Sequence, residues 1–371
     1  MRLRLTTVAM DVRVPSYRVV AVSSKYWNTQ LEHTSCDEVL DGRRAADAGR
    51  RGSRGQEGNA DFGLLRLGCP PGLGLARIVI SVRRTEIKAG DTVGVVFEPE
   101  GGSNQFAVML GGSYGGIPEG FARRLAENGV CAFALGYFGA PGLPSALVEI
   151  PIESLQQGIE LFAERYAGGR AVGLMGFSKG AELALVLGAH LGDSISRTVA
   201  VAPSHVVWFG LKPPGPDPDR RSTQSSWSLR GVPLPFLPCP SVVMPAFTER
   251  GLRTDVFFDL SRYQPGAVDT ARIHVERSAG PIMLLSGDDD HQWPAAPMAE
   301  AIVRRMADHG RSDDVTSVVY PGAGHAFLVQ DFLPPSGPGT GPQFDFGGST
   351  QADHIAGRDA WQRAVSFLQA T

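Results

Sequence analysis

The sequence predicts an α/β fold: a mostly parallel sheet covered by helices on both faces, with a long insertion late in the chain. Three observations lead there. From about residue 76, apolar runs alternate with stretches of helical period, and that alternation is the signature of strand–helix units. The later apolar runs are continuous, as expected where both faces of a sheet are buried. One of them, Ala171 to Met175, runs through Gly176-Phe177-Ser178-Lys179-Gly180 directly into the helical stretch Ala181 to Leu191.

The elements follow in order. Strands are expected at Ile78–Val82, Thr92–Phe97, Phe106–Leu110, Val130–Tyr137, Ala171–Met175, Thr198–Ala202, Ile282–Leu285 and Val315–Tyr320. Pro118 to Asn128 pairs Phe121 with Leu125 and stops at Gly129, a helix with a stop signal. Leu155, Ile159, Phe162 and Tyr166 share one helical face. Pro297 to His309 aligns Met298, Ile302 and Met306, and a last helix over Arg358–Ala370 gathers Trp361, Val365 and Leu368. Between Ala202 and Ile282 lie about 75 residues rich in Pro, Gly and polar groups. A loop of that length in a compact domain is usually functional, so residues 204–280 are expected to act as a lid. Trp208, Trp227, Phe236 and Phe247 within it would either line an apolar pocket or anchor the loop.

Residues 1–75 differ from the remainder. Arg43 to Ala60 has no apolar period and is expected to be disordered, with Val12 to Val22 offering at most isolated strands. The catalytic domain is expected to span residues 76–371. With 43% hydrophobic residues the 371-residue chain can bury a sizeable core. A net charge of −3 offers nothing to nucleic acid or an anionic membrane. No run has the length of a membrane span, and polar residues interrupt the N-terminus where a secretory signal would need an apolar run. Cys36, Cys69, Cys131 and Cys239 are widely spaced, which suits inert thiols in a reducing cytoplasm better than disulfides or zinc.

Gly-x-Ser-x-Gly at a strand-to-helix turn is the nucleophile-elbow pattern of α/β-hydrolases. By itself it is a weak signal here, because the chain has 46 glycines and a second match, Gly111-Gly112-Ser113-Tyr114-Gly115, also follows an apolar run. Chain order decides between them. In that fold the nucleophile, acid and histidine follow in sequence at the C-terminal ends of strands. After Ser178 comes the strand ending at Ala202, then one ending in Ser286-Gly287-Asp288-Asp289-Asp290, then one ending in Tyr320-Pro321-Gly322-Ala323-Gly324-His325. Ser178 is therefore the expected nucleophile and His325 the base. Asp290, three residues after Gly287, is preferred as the acid, with Asp289 as the alternative. Ser113 stands too early for the nucleophile. Its loop instead suits the oxyanion hole, with backbone N–H groups of Gly112 or Ser113 acting beside that of Lys179. His291 beside three aspartates competes weakly as base, and adjacent residues cannot all face one ion, so neither a metal nor another cofactor is expected. The Lys179 side chain reads as solvated or touching the insertion. Glu182 reads as favourable to the first turn of the elbow helix through its dipole.

Taken together, Gly-Phe-Ser-Lys-Gly-Ala-Glu-Leu-Ala-Leu, Ser226-Trp227 with Gly231-Val232-Pro233-Leu234-Pro235-Phe236, Ile273-His274-Val275-Glu276-Arg277, Gly287-Asp288-Asp289-Asp290-His291-Gln292-Trp293-Pro294 and Tyr320 to His325 resemble the C-terminal catalytic domain of the acyl-CoA thioesterase and bile acid-CoA:amino acid N-acyltransferase family. The resemblance covers about residues 76–371 and includes Gly347-Gly348-Ser349-Thr350. It implies a Ser178–His325–Asp290 triad that cleaves an acyl thioester. Tyr114, Trp227 and Trp293 are the aromatic residues expected against the substrate. Long members of that family carry a preceding β-sandwich, for which residues 1–75 are too short and too polar. Serine replaces the cysteine of the amino-acid-conjugating members, which tilts the reading towards hydrolysis. The alternatives are acyl transfer to an amine or alcohol and cleavage of oxygen esters or dienelactones.

Overall fold

The computed structural model describes residues 13–14, 17–18, 81–213, 220–240, 243–244, 246–328 and 344–370. The chain divides into two units, Met1–Val79 and Ile80–Thr371. In the first, Arg13–Val14 pairs antiparallel with Tyr17–Arg18. The disorder expected over Arg43–Ala60 lies outside the described residues, as do Cys36 and Cys69.

The second unit is built on eight strands: β1 Val82–Ala89, β2 Thr92–Pro99, β3 Phe106–Leu110, β4 Cys131–Gly136, β5 Val172–Phe177, β6 Ile195–Val201, β7 Ile282–Gly287 and β8 Val315–Tyr320. They lie in the order β8-β7-β6-β5-β3-β4-β2-β1. β1–β2 and β2–β4 are antiparallel, and every other pair is parallel. Strands β4, β5 and β7 are buried at every position. Their alternation decides which side each residue serves. In β4, Ala132 and Ala134 join the core that packs on α1 (Glu119–Glu127) and α5 (Thr350–Gln369), while Phe133 and Leu135 join the core under α2 (Ile152–Tyr166), α3 (Lys179–Leu191) and α4 (Ala295–Asp308). Helix α3 is buried from Lys179 to Gly188, as a helix apolar on all sides must be.

Two expectations need correction. The first described strand of this unit runs from Val82 to Ala89 and shares only Val82 with the expected Ile78–Val82; positions 78–80 lie outside the described residues. It is an edge strand, so half of its residues face water and its text, Arg83-Arg84-Thr85-Glu86, carries no apolar run. The insertion is also no open loop. Phe209–Leu211 pairs with Arg221–Ser225, Trp227–Leu229 pairs with Ile150–Pro151 and Val232–Pro233, and Ala246–Thr248 pairs with Gly251–Arg253. Trp208 and Trp227 are fully buried and Phe236 packs on the core, whereas Phe247 is exposed. The tryptophans anchor the insertion rather than line a pocket. No helix among the described residues is long and apolar enough to cross a membrane.

Candidate active site

Four segments reach one place because each leaves the C-terminal edge of the sheet. They are the Gly111–Gly116 loop after β3, the turn after β5, the turn after β7 and the loop after β8. The β5 turn is the tightest. Ser178 adopts φ 56° and ψ −120°, a left-handed conformation that costs a non-glycine residue roughly 1–3 kcal/mol. The flanking glycines make it sterically feasible. A Cβ at Gly176 would stand 2.0 Å from the Gly180 carbonyl oxygen, and one at Gly180 would stand 2.2 Å from that of Gly111. The helix thus starts directly against β3 and β5, and the serine side chain is pushed out of the turn.

His325 meets Ser178 there. Its Nε2 lies 2.9 Å from Ser178 Oγ and its Nδ1 lies 2.7 Å from Asp290 Oδ2. The ring is wedged between Phe177 at 5.1 Å, Trp293 at 6.1 Å and a parallel Phe346 at 6.3 Å between centroids. The other carboxylate oxygen of Asp290 accepts the backbone N–H groups of Gln292 (2.8 Å) and Trp293 (3.2 Å). Asp289 points elsewhere. It faces His291 Nε2 at 3.1 Å and accepts the Gly348 N–H at 2.9 Å, while His291 Nδ1 faces Asp345 at 3.1 Å. Asp288 accepts from the Gly322 N–H. Of three consecutive aspartates, one reaches the imidazole and the other two brace the loops. Ser178 is 7% exposed and His325 4%, so the pair is shielded from bulk water.

The backbone N–H groups of Lys179, Gly112 and Ser113 donate to no described residue. The first N–H groups of a helix have no intrahelical acceptor. Gly112 rests on the Phe177 ring, where a Cβ would press at 3.1 Å, and the Tyr137 hydroxyl donates to the Gly111 carbonyl and steadies the loop.

The side chain of Lys179 is not solvated. Its Nζ donates to both oxygens of Glu182 at 2.8 Å, and both side chains are buried. Burial pushes the Lys179 pKa down and the Glu182 pKa up, each opposed by the pairing. Glu182 also accepts from Trp227 Nε1 (2.7 Å) and the Trp208 N–H (3.3 Å). Its main role is therefore to tie the elbow helix to the insertion, beyond any effect on the helix dipole. Of the three aromatic residues expected against a substrate, Tyr114 is 41% exposed beside the Gly111–Gly116 loop. Trp293 is buried behind His325 and donates to the Ala202 carbonyl at 3.2 Å. Trp227 is wholly enclosed and offers no surface to a ligand. What sequence reasoning missed is the contact between Lys179, Glu182 and the two tryptophans. The presence of a basic and an acidic residue on adjacent turns (i, i+3) was its only trace.

The strand order, the left-handed serine after β5 and the Ser–His–Asp contact define an α/β-hydrolase. The chain belongs to the family described as BAAT / Acyl-CoA thioester hydrolase C terminal, whose model matches residues 150–371. It is 30% identical over 298 residues to mouse acyl-coenzyme A thioesterase 6, covering 78% of this chain and 65% of that protein. It is 30% identical over 294 residues to mouse mitochondrial acyl-coenzyme A thioesterase 2, covering 77% of this chain and 60% of the relative. The chain thus spans about 60–65% of the length of these relatives. Among solved structures it is similar to a Pyrococcus furiosus esterase, with TM-score 0.41 and 14% identity, covering 68% of this chain and 87% of that one.

Proposed function

We propose that this chain hydrolyses acyl thioesters, acyl-CoA foremost, through an acyl-enzyme on Ser178. One observation carries the reading: His325 lies 2.9 Å from Ser178 and 2.7 Å from Asp290. Membership of the thioester hydrolase family and the names of the relatives support the choice of substrate.

With Asp290 accepting the Nδ1–H, the Nε2 lone pair of His325 is turned towards Ser178. Oγ attacks the thioester carbonyl as its proton passes to Nε2. Charge develops on the carbonyl oxygen, which accepts from the N–H groups of Lys179 and of Gly112 or Ser113; each such donor is worth roughly 3–4 kcal/mol. Asp290 stabilises the imidazolium. The thiol leaves with the proton from Nε2, which returns His325 to its neutral form. Water, deprotonated by His325, then attacks the acyl-serine and releases the carboxylic acid.

The test is thiol release from a panel of acyl-CoAs by the wild type and by Ser178→Ala. Loss of turnover by about 10^4-fold or more is expected. Activity that survives the substitution overturns the mechanism. Oxygen esters cleaved in preference to thioesters overturn the substrate class.

A further inference from the structure

Arg220 stands at the end of the insertion strand Arg221–Ser225 and reaches the Gly111–Gly116 loop. Its Nε donates to the Lys212 carbonyl at 3.0 Å and its Nη1 to the Ser113 carbonyl at 3.3 Å. Its Nη2 is buried with no acceptor among the described residues. No carboxylate among the described residues pairs with it, and burial pulls its pKa down. Three other part-buried arginines are neutralised: Arg253 by Asp255, Arg305 by Glu276, Arg311 by Asp314. A guanidinium cannot shed its proton to escape a dry site. Two of its nitrogens are fixed on carbonyls, which sets the plane of the fork and leaves Nη2 unpaired among the described residues. Through Nη1 the guanidinium is held on the loop whose Gly112 packs against Phe177, the neighbour of Ser178.

We propose that Arg220 is a specificity residue that binds an anionic oxygen group of the substrate beside the oxyanion loop. The proposal rests on the thioesterase reading. A planar fork with free N–H donors suits phosphate and carboxylate oxygens. An acyl-CoA offers two sources: the phosphates of the thiol carrier, or a carboxylate at the far end of a dicarboxylic acyl chain.

The experiment compares the full chain with Arg220→Gln and Arg220→Lys on three thioesters. These are an acyl-CoA, the same acyl group on N-acetylcysteamine, and an ω-carboxyacyl group on N-acetylcysteamine. Arg220→Gln is expected to lower kcat/KM on the anionic substrate at least about tenfold more than on the neutral one, chiefly through KM, with Arg220→Lys in between. A selective loss on acyl-CoA assigns the phosphates, and one on the ω-carboxyacyl thioester assigns the carboxylate. Equal losses on all three substrates, or none, overturn the proposal. If the wild type cleaves no thioester, the thioesterase reading fails separately. Calorimetric titration with CoA and with a dicarboxylate then decides the role of Arg220: weaker binding of either by Arg220→Gln supports it, and unchanged binding of both overturns it.

Discussion

Asp290 and Asp289 are neighbours of identical chemistry with different positions. Asp290 reaches His325 at 2.7 Å with its second oxygen held by two backbone N–H groups; Asp289 faces His291. A carboxamide at 290 retains an acceptor but no longer enforces the imidazole tautomer. Asp290→Asn is therefore expected to lower kcat by about 10^3–10^4-fold, and Asp289→Asn to cost far less. Steady-state kinetics of the two variants on one acyl-CoA checks this, and a larger loss for Asp289→Asn would move the choice of acid to Asp289. Nothing in the sequence distinguishes these residues beyond spacing from Gly287. The direction of each side chain is a property of the turn, set partly by contacts with Phe346 to Gly348, nearly sixty residues later in the chain.

The short helical turn Val275–Arg277 closes the insertion onto α4. Glu276 accepts from Arg305 Nη2 at 2.6 Å and from its Nε, a two-point contact mostly out of solvent. Burial alone would raise the Glu276 pKa, but the hydrogen bonds and charge of Arg305 outweigh it and bring it from 4.5 to about 2. A carboxylate whose folded pKa is depressed adds stability above its unfolded pKa and loses it as pH falls through the folded value. The Glu276 contribution is thus full at neutral pH and disappears between about pH 4.5 and 2. Glu276→Gln is expected to lower stability by about 1.5–3 kcal/mol at pH 7. Thermal melts against pH should show the gap between wild type and variant closing across that acid window. A gap that stays constant down to pH 2 would mean the carboxylate charge is not its source. At this scale most elements were legible: four helices and seven strands lie close to where period and apolar runs put them, while the last helix, expected over Arg358–Ala370, already begins at Thr350. The edge strand β1 was misread because a strand wetted on one side has little apolar text.

Across the whole molecule, the Lys179–Glu182 pair joins the sheet to the insertion. Glu182 takes Lys179, Trp227 and the Trp208 backbone at once, with no solvent exposure. Removing one partner of a buried pair strands the other charge. Glu182→Ala is expected to cost about 3–5 kcal/mol in urea unfolding, and the double change Lys179→Met with Glu182→Leu distinctly less. A single substitution no worse than the double would show that the pair carries little of the connection. Because Trp208 and Trp227 pack against this helix, the loss should also appear as increased amide exchange in the insertion strands.

The sequence by itself determined the layered α/β architecture, the elbow serine, the histidine and the order in which they occur. Those features depend on local period, on glycine where a Cβ cannot fit, and on strand order along the chain. The tertiary structure alone decided which aspartate meets His325, that Lys179 is buried on Glu182, that Trp208 and Trp227 are anchors, and that Arg220 reaches the Gly111–Gly116 loop. Each of these depends on contacts between residues far apart in the chain. Their energies come from desolvation and direction, which side-chain type and spacing do not encode.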